Sequence, residues 1–158
     1  MTPEDLHLHI SYSGWASRRL LDAALALSEE DQRREFGVSH KSLIGTLEHI
    51  FFADRIWFAR TVDPNVLEGD QSLAVAWPRL QKRWEEWAAA LTPEDLLRVV
   101  DYTDMRGNLH STPVWQILLH VVNHATLHRG QAMSLLRQLG VAPPATDLIF
   151  YYREIKVK

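Results

Sequence analysis

The chain has 158 residues, 46% of them hydrophobic, and a formal net charge of -3. That length and apolar content suit one domain with a sizeable core, expected to span residues 1–158. Its basic residues are scattered rather than gathered into a stripe, which argues against nucleic-acid binding, and the absence of cysteine excludes disulfides, a protein thiolate nucleophile and cysteine-ligated zinc.

Thr2-Pro3-Glu4-Asp5 combines a capping hydroxyl, proline at the first helical position and acids in the first turn, so a helix is expected from there to about Leu27. Leu6, Ile10, Ser13, Ser17, Leu20, Ala24 and Leu27 share one of its faces. Its acidic, polar beginning is unlike a signal peptide. Ser28 to His40 is polar, contains Gly37 and reads as a connection. Lys41 to Thr61 forms the second helix, ended by Asp63-Pro64. Its surface is apolar almost all round, so it is either central or covered a second time by a partner chain. Gln71 to Leu91 is the third helix, with Trp77, Trp84 and Trp87 more readily assigned to core than to a ligand platform. Thr92-Pro93-Glu94-Asp95 repeats the start signal for a single turn.

Val99 to Thr103 favours a strand, Arg106-Gly107-Asn108 is turn chemistry, and Leu109 to Thr112 returns as a second strand. Pro113 then opens the last long helix, which runs to about Leu139 and stops at Gly140, with Pro143-Pro144 beyond. Asp147 to Glu154 is a further short helix. The fold class expected is all-α: a four-helix bundle of up-down neighbours with a short β-hairpin inserted before the last long helix. No apolar run approaches the roughly 18 residues of a membrane span. A cytoplasmic protein acting without membrane or nucleic acid is the expectation.

Chemistry concentrates in the last long helix. His124 and His128 stand four residues apart, hence on one face and about 6 Å apart along the axis. Both project into the edge of an apolar stripe through Val114, Ile117, Val121, Ala125, Ala132, Leu135 and Leu139. Buried imidazoles need partners, and one divalent metal can serve both. His120 lies about 12 Å along the axis from His128 and about 80° around, so one ion cannot use all three. A third ligand must come from another helix, and His49, in an arc with Gly45, Phe52, Ala53 and Ile56, is the best candidate. Three imidazoles and an open position are the usual arrangement of a catalytic zinc or related metal. His7, His9, His40 and His110 lie near ends or in loops and read as ordinary surface residues. In His124-Ala125-Thr126-Leu127-His128 the glutamate of a zincin is replaced by Ala125, so the motif supplies no general base. Arg129 can bind an anion, though pairing with a carboxylate is the commoner outcome for such a residue.

Asn123-His124-Ala125-Thr126-Leu127-His128-Arg129-Gly130-Gln131 resembles the N-H-x-x-x-H-R-G-Q signature of the DinB-like (DinB/YfiT) superfamily of metal-dependent enzymes. Glu48 to Trp57 is similar to that family's second-helix motif, an early histidine followed by an acid and an aromatic. Ser11 to Leu21 resembles its first-helix Y-N-x-W-A-N pattern, with Ser13 and Ser17 where asparagine is usual. The resemblance implies a four-helix bundle binding one divalent ion, zinc or nickel, through His49, His124 and His128, and a homodimer. It implies a thiol-dependent S-transferase, with a low-molecular-weight thiol (bacillithiol, mycothiol or glutathione) as cosubstrate. A metal-dependent hydrolase or a non-catalytic metal-binding stress-response protein are the alternatives. Gln131, three residues after His128, is placed to hydrogen-bond a ligand ring. Tyr12, Trp15, His120, Arg129 and the hairpin from Tyr102 to His110 are expected around the pocket. Nothing in the sequence identifies the small-molecule substrate.

Overall fold

A computed structural model describes residues 1–67 and 72–156. Four long helices carry the fold: α1 (Pro3–Leu25), α3 (Leu43–Thr61), α4 (Leu73–Ala89) and α6 (Val114–Gln138). Between them lie the single-turn helices α2 (Glu29–Arg33) and α5 (Pro93–Leu97), a 3-10 turn at Pro64–Leu67, and the hairpin β1 (Val99–Thr103) and β2 (Leu109–Pro113); α7 (Leu148–Lys156) follows α6. The helical bundle with a hairpin before its last long helix is therefore as expected.

Local chemistry sets most of the boundaries. Thr2 and Thr92 each form a reciprocal capping box with the aspartate three residues on, satisfying two otherwise unpaired backbone donors. The connection after α1 is not irregular throughout: Ser28 Oγ accepts from Asp31 N at 3.1 Å and starts α2. The second long helix begins at Leu43 rather than Lys41, because Lys41 is in the left-handed region (φ 66°) and Ser42 caps the helix instead. The expected start of the third helix at Gln71 lies outside the described residues. Gly140, at φ 78°, ends α6 in the conformation glycine tolerates best. In the hairpin, Val99 pairs with Pro113 and Thr103 with Leu109, and Gly107 turns the chain at φ 87°.

α1 packs against α4 and α6, and α3 against α6 and α4. Leu20, Leu43, Leu47, Ile50, Ala125, Ala132 and Leu135 meet in the core, all nearly without solvent contact. Burying each such aliphatic side chain stabilises the fold by about 1.5–3 kcal/mol before the entropic cost of ordering it. Trp77 and Trp84 are core residues, their indole N–H groups donating to the Asp54 carboxylate (3.0 Å) and the Asp54 carbonyl (3.3 Å). α4 thus spends these two tryptophans internally and does not offer them to a partner. Phe52, three residues after His49 on α3, and Leu127, next to His128 on α6, are exposed apolar side chains, 47% and 63% accessible.

A candidate metal centre

The contact between α3 and α6 brings together His49, His124 and His128 from helices far apart in sequence. His49 Nε2 lies 3.1 Å from His124 Nε2 and 3.2 Å from His128 Nε2. Nitrogens about 2.0–2.1 Å from one ion, at octahedral to tetrahedral angles, sit about 2.8–3.4 Å apart. Both distances from His49 fall in that range, and the His124 and His128 ring centroids stand 4.4 Å apart. Their planes are well separated in angle, 52° between His49 and His124, 74° between His49 and His128 and 57° between His124 and His128.

Polar contacts behind the rings support this orientation. His128 Nδ1 lies 2.8 Å from Gln131 Oε1, an atom that only accepts, so Nδ1 carries the proton and Nε2 presents its lone pair to the cluster. His124 Nδ1 is buried without a partner among the described residues. Burial first, then the neighbouring His40 and His128 rings, pushes His49 down to about 4. Burial and the surrounding imidazoles, His128 foremost, do the same to His124. Near neutral pH both rings are neutral, the form that binds metal.

His40 is not the surface residue its loop position suggested. Its ring stacks on His49 with centroids 3.8 Å apart and planes 14° from parallel, and meets His128 edge-on at 5.2 Å. One potential ligand atom each from His40, His49 and His128 lie within 4.8 Å of one another. The backbone that delivers it is left-handed at Lys41.

His120 stands apart from the three-ring convergence, as its helical offset required, but touches it: its ring is 5.7 Å from His124 and 5.1 Å from Trp57. Trp57 in turn packs edge-on against Tyr102 of the hairpin at 5.0 Å, and Arg60 lies over both rings. An aromatic row thus leads from His124 to the hairpin. Tyr12 and Trp15 take another direction. Tyr12 donates to the Thr146 carbonyl at 2.9 Å, Trp15 Nε1 to Glu154 at 3.1 Å, and both rings pack on Tyr151. They anchor α7 rather than facing the histidines.

Arg129 proves to be an internal pin and not a surface residue. It is only 2% exposed, and its guanidinium donates to Ser13 Oγ (3.0 Å), Ser17 Oγ (3.2 Å), the Ser13 carbonyl (3.3 Å) and Thr126 Oγ1 (2.8 Å). Ser13 and Ser17, one helical turn apart on the buried face of α1, hold it there. Its charge helps to lower the Asp54 carboxyl, but burial outweighs this and raises that group to about 7.

Comparison with known proteins agrees with this architecture. The DinB family model matches residues 2–156. The chain belongs to the DinB family. It is 24% identical over 153 residues to Protein DinB of Bacillus subtilis (strain 168), covering 89% of each chain. It also shares its fold with a DinB-like protein from Bacillus cereus, at 22% identity and a TM-score of 0.54, over 85% of this chain and 90% of that one. Among the described residues no helix is long and apolar enough to cross a membrane.

Proposed function

We propose that the chain is a metal-dependent S-transferase in which His49, His124 and His128 hold one divalent ion, zinc or nickel, and a low-molecular-weight thiol is the cosubstrate. The observation that carries the reading is the convergence of three Nε2 atoms at 3.1 and 3.2 Å around His49. When bound, the ion supplies Lewis acidity that lowers the pKa of a thiol or water in its remaining position. Neutral imidazoles suit this role, because they leave the charge of the ion undiminished. Gln131 keeps the His128 proton on Nδ1 and the lone pair inward. The chain has no cysteine, so the attacking sulfur comes from outside. The row of His120, Trp57 and Tyr102 supplies ring faces for a small, partly apolar electrophile.

Two further assignments belong to this reading. A second copy packed over Phe52 and Leu127 would cover the apolar surface left beside the cluster and close it from water. A chain without cysteine also suits a cytoplasmic setting. The test is conjugation of bacillithiol, mycothiol or glutathione to a model electrophile by zinc- or nickel-loaded protein. The account expects turnover with one of these thiols, abolished by His124→Ala. Metal-dependent ester or amide hydrolysis without conjugation would assign the hydrolase instead. Neither activity in the loaded protein would leave a binding role.

A further inference from the structure

His40 is delivered to the cluster by a loop built for close approach. Lys41, the residue after it, is the one non-glycine described in the left-handed region (φ 66°), a conformation that costs a lysine free energy and persists only where the surroundings impose it. Phe36 N donates to the Lys41 carbonyl at 2.7 Å and Ser42 N to the His40 carbonyl at 2.7 Å, fixing the loop on both sides of the strained residue. On α3, Gly45 leaves room for this turn: a Cβ there would collide with the His40 carbonyl oxygen. The result is an imidazole lying flat on one proposed ligand and edge-on to another.

Flat stacking has a geometric consequence. A metal lies in the plane of each imidazole that binds it. With planes 14° from parallel and centroids 3.8 Å apart, the His40 lone pair runs alongside the point on which the other three rings converge. A turn of the His40 ring about its Cβ–Cγ bond would re-aim its nitrogens, and the residue is only partly buried. Its potential ligand atom is within 4.8 Å of those of His49 and His128, so an approach of at most about 2 Å brings it to the roughly 2.8–3.4 Å at which nitrogens share one ion.

We propose that His40 is a displaceable fourth nitrogen ligand of the ion held by His49, His124 and His128; this rests on the metal-site reading above. Turned inward, it fills the position that an external donor takes during turnover. Stacked on His49, it leaves that position open. The strained, tightly bonded loop keeps the ring at the site in both arrangements.

The experiment loads full-length wild type, His40→Ala, His40→Phe and His124→Ala with Co2+ alone, in the absence of thiol, after far-UV circular dichroism has verified folding. Visible absorption reports the coordination geometry and titration reports affinity. Phenylalanine preserves a ring to stack on His49 but offers no donor. The expected result is that both His40 variants change the Co2+ spectrum and weaken binding by at least about tenfold, the scale already seen when a ligand loses its supporting contact. A His40→Phe protein indistinguishable from wild type would overturn the proposal and leave His40 a stacking residue, as would an unchanged His40→Ala. If either result accompanies loss of Co2+ in His124→Ala, the three-histidine reading survives without the fourth ligand. A wild type that takes up no Co2+ would remove both.

Discussion

Replacing Arg129 by alanine should come close to unfolding the protein without acting on the histidines directly. The substitution removes a side chain that is 2% exposed, and with it the donors for Ser13 Oγ, the Ser13 carbonyl, Ser17 Oγ and Thr126 Oγ1. The first three acceptors lie on the buried face of α1, where water does not readily replace a lost donor. Asp54, whose carboxyl Arg129 helps to keep down, loses that cation and takes up a proton more readily. Removing one partner from a buried charged network costs about 3–5 kcal/mol, against a total stability of roughly 5–15 kcal/mol for a domain. At about 2–4 °C per kcal/mol for a chain of this size, the melting temperature should fall by roughly 6–20 °C. Urea denaturation followed by tryptophan fluorescence and circular dichroism measures the loss. Arg129→Lys, which keeps the charge but not the planar fork, should fall between the two proteins. A cost below about 1 kcal/mol for Arg129→Ala would show that the buried guanidinium is not what joins α1 to α6.

In metal-free protein, stability should fall as pH drops from about 6.5 through about 4, because the unfolded chain takes up protons that the half-buried His49 and His124 rings refuse; the His49→Ala/His124→Ala double variant should flatten this decline in melts recorded across that range. Asp54 works in the opposite sense: its carboxyl, raised to about 7, contributes stability that is lost as pH rises through that value, so Asp54→Asn should gain relative stability on the alkaline side, read as a shift of the denaturation midpoint at pH 8. Gly45→Ala should destabilise the protein and displace the loop bearing His40, since its new methyl meets the His40 carbonyl; an unchanged melting temperature and an unchanged His40 imidazole NMR signal would contradict the close approach. Zinc or nickel at a hundred times its dissociation constant should stabilise the fold by about 2.7 kcal/mol, or roughly 5–11 °C, and EDTA should reverse it.

Much of the molecule was legible from local chemistry. The hydroxyl-proline-acid starts at Thr2 and Thr92, the strand-turn-strand pattern before Pro113 and the glycine stop at 140 each act within a few residues, so the sequence marks them directly. The spacing of His124 and His128 was equally readable, because helical geometry alone puts them on one face, and His49 followed from the need for a third ligand on a neighbouring helix. His40 was not legible. Its place depends on a left-handed lysine and on room left by a glycine one helical turn further on, neither of which has a periodic signature. Arg129 was not legible for a similar reason: its partners Ser13 and Ser17 lie more than 110 residues away on α1, and nothing local to Arg129 marks them. Tyr12 and Trp15, expected as aromatic walls of the pocket, instead bond Thr146 and Glu154 and pack on Tyr151.

The central claim is that His49, His124 and His128 together hold one divalent ion. Elemental analysis of protein purified without chelators or affinity-column metal tests it most directly, applied to wild type and to the alanine variants of His49, His120, His124 and His128. The account predicts about one zinc or nickel per chain in wild type and in His120→Ala, and loss of that metal in each of the other three. Stoichiometric metal in His124→Ala, with loss in His120→Ala, would contradict it.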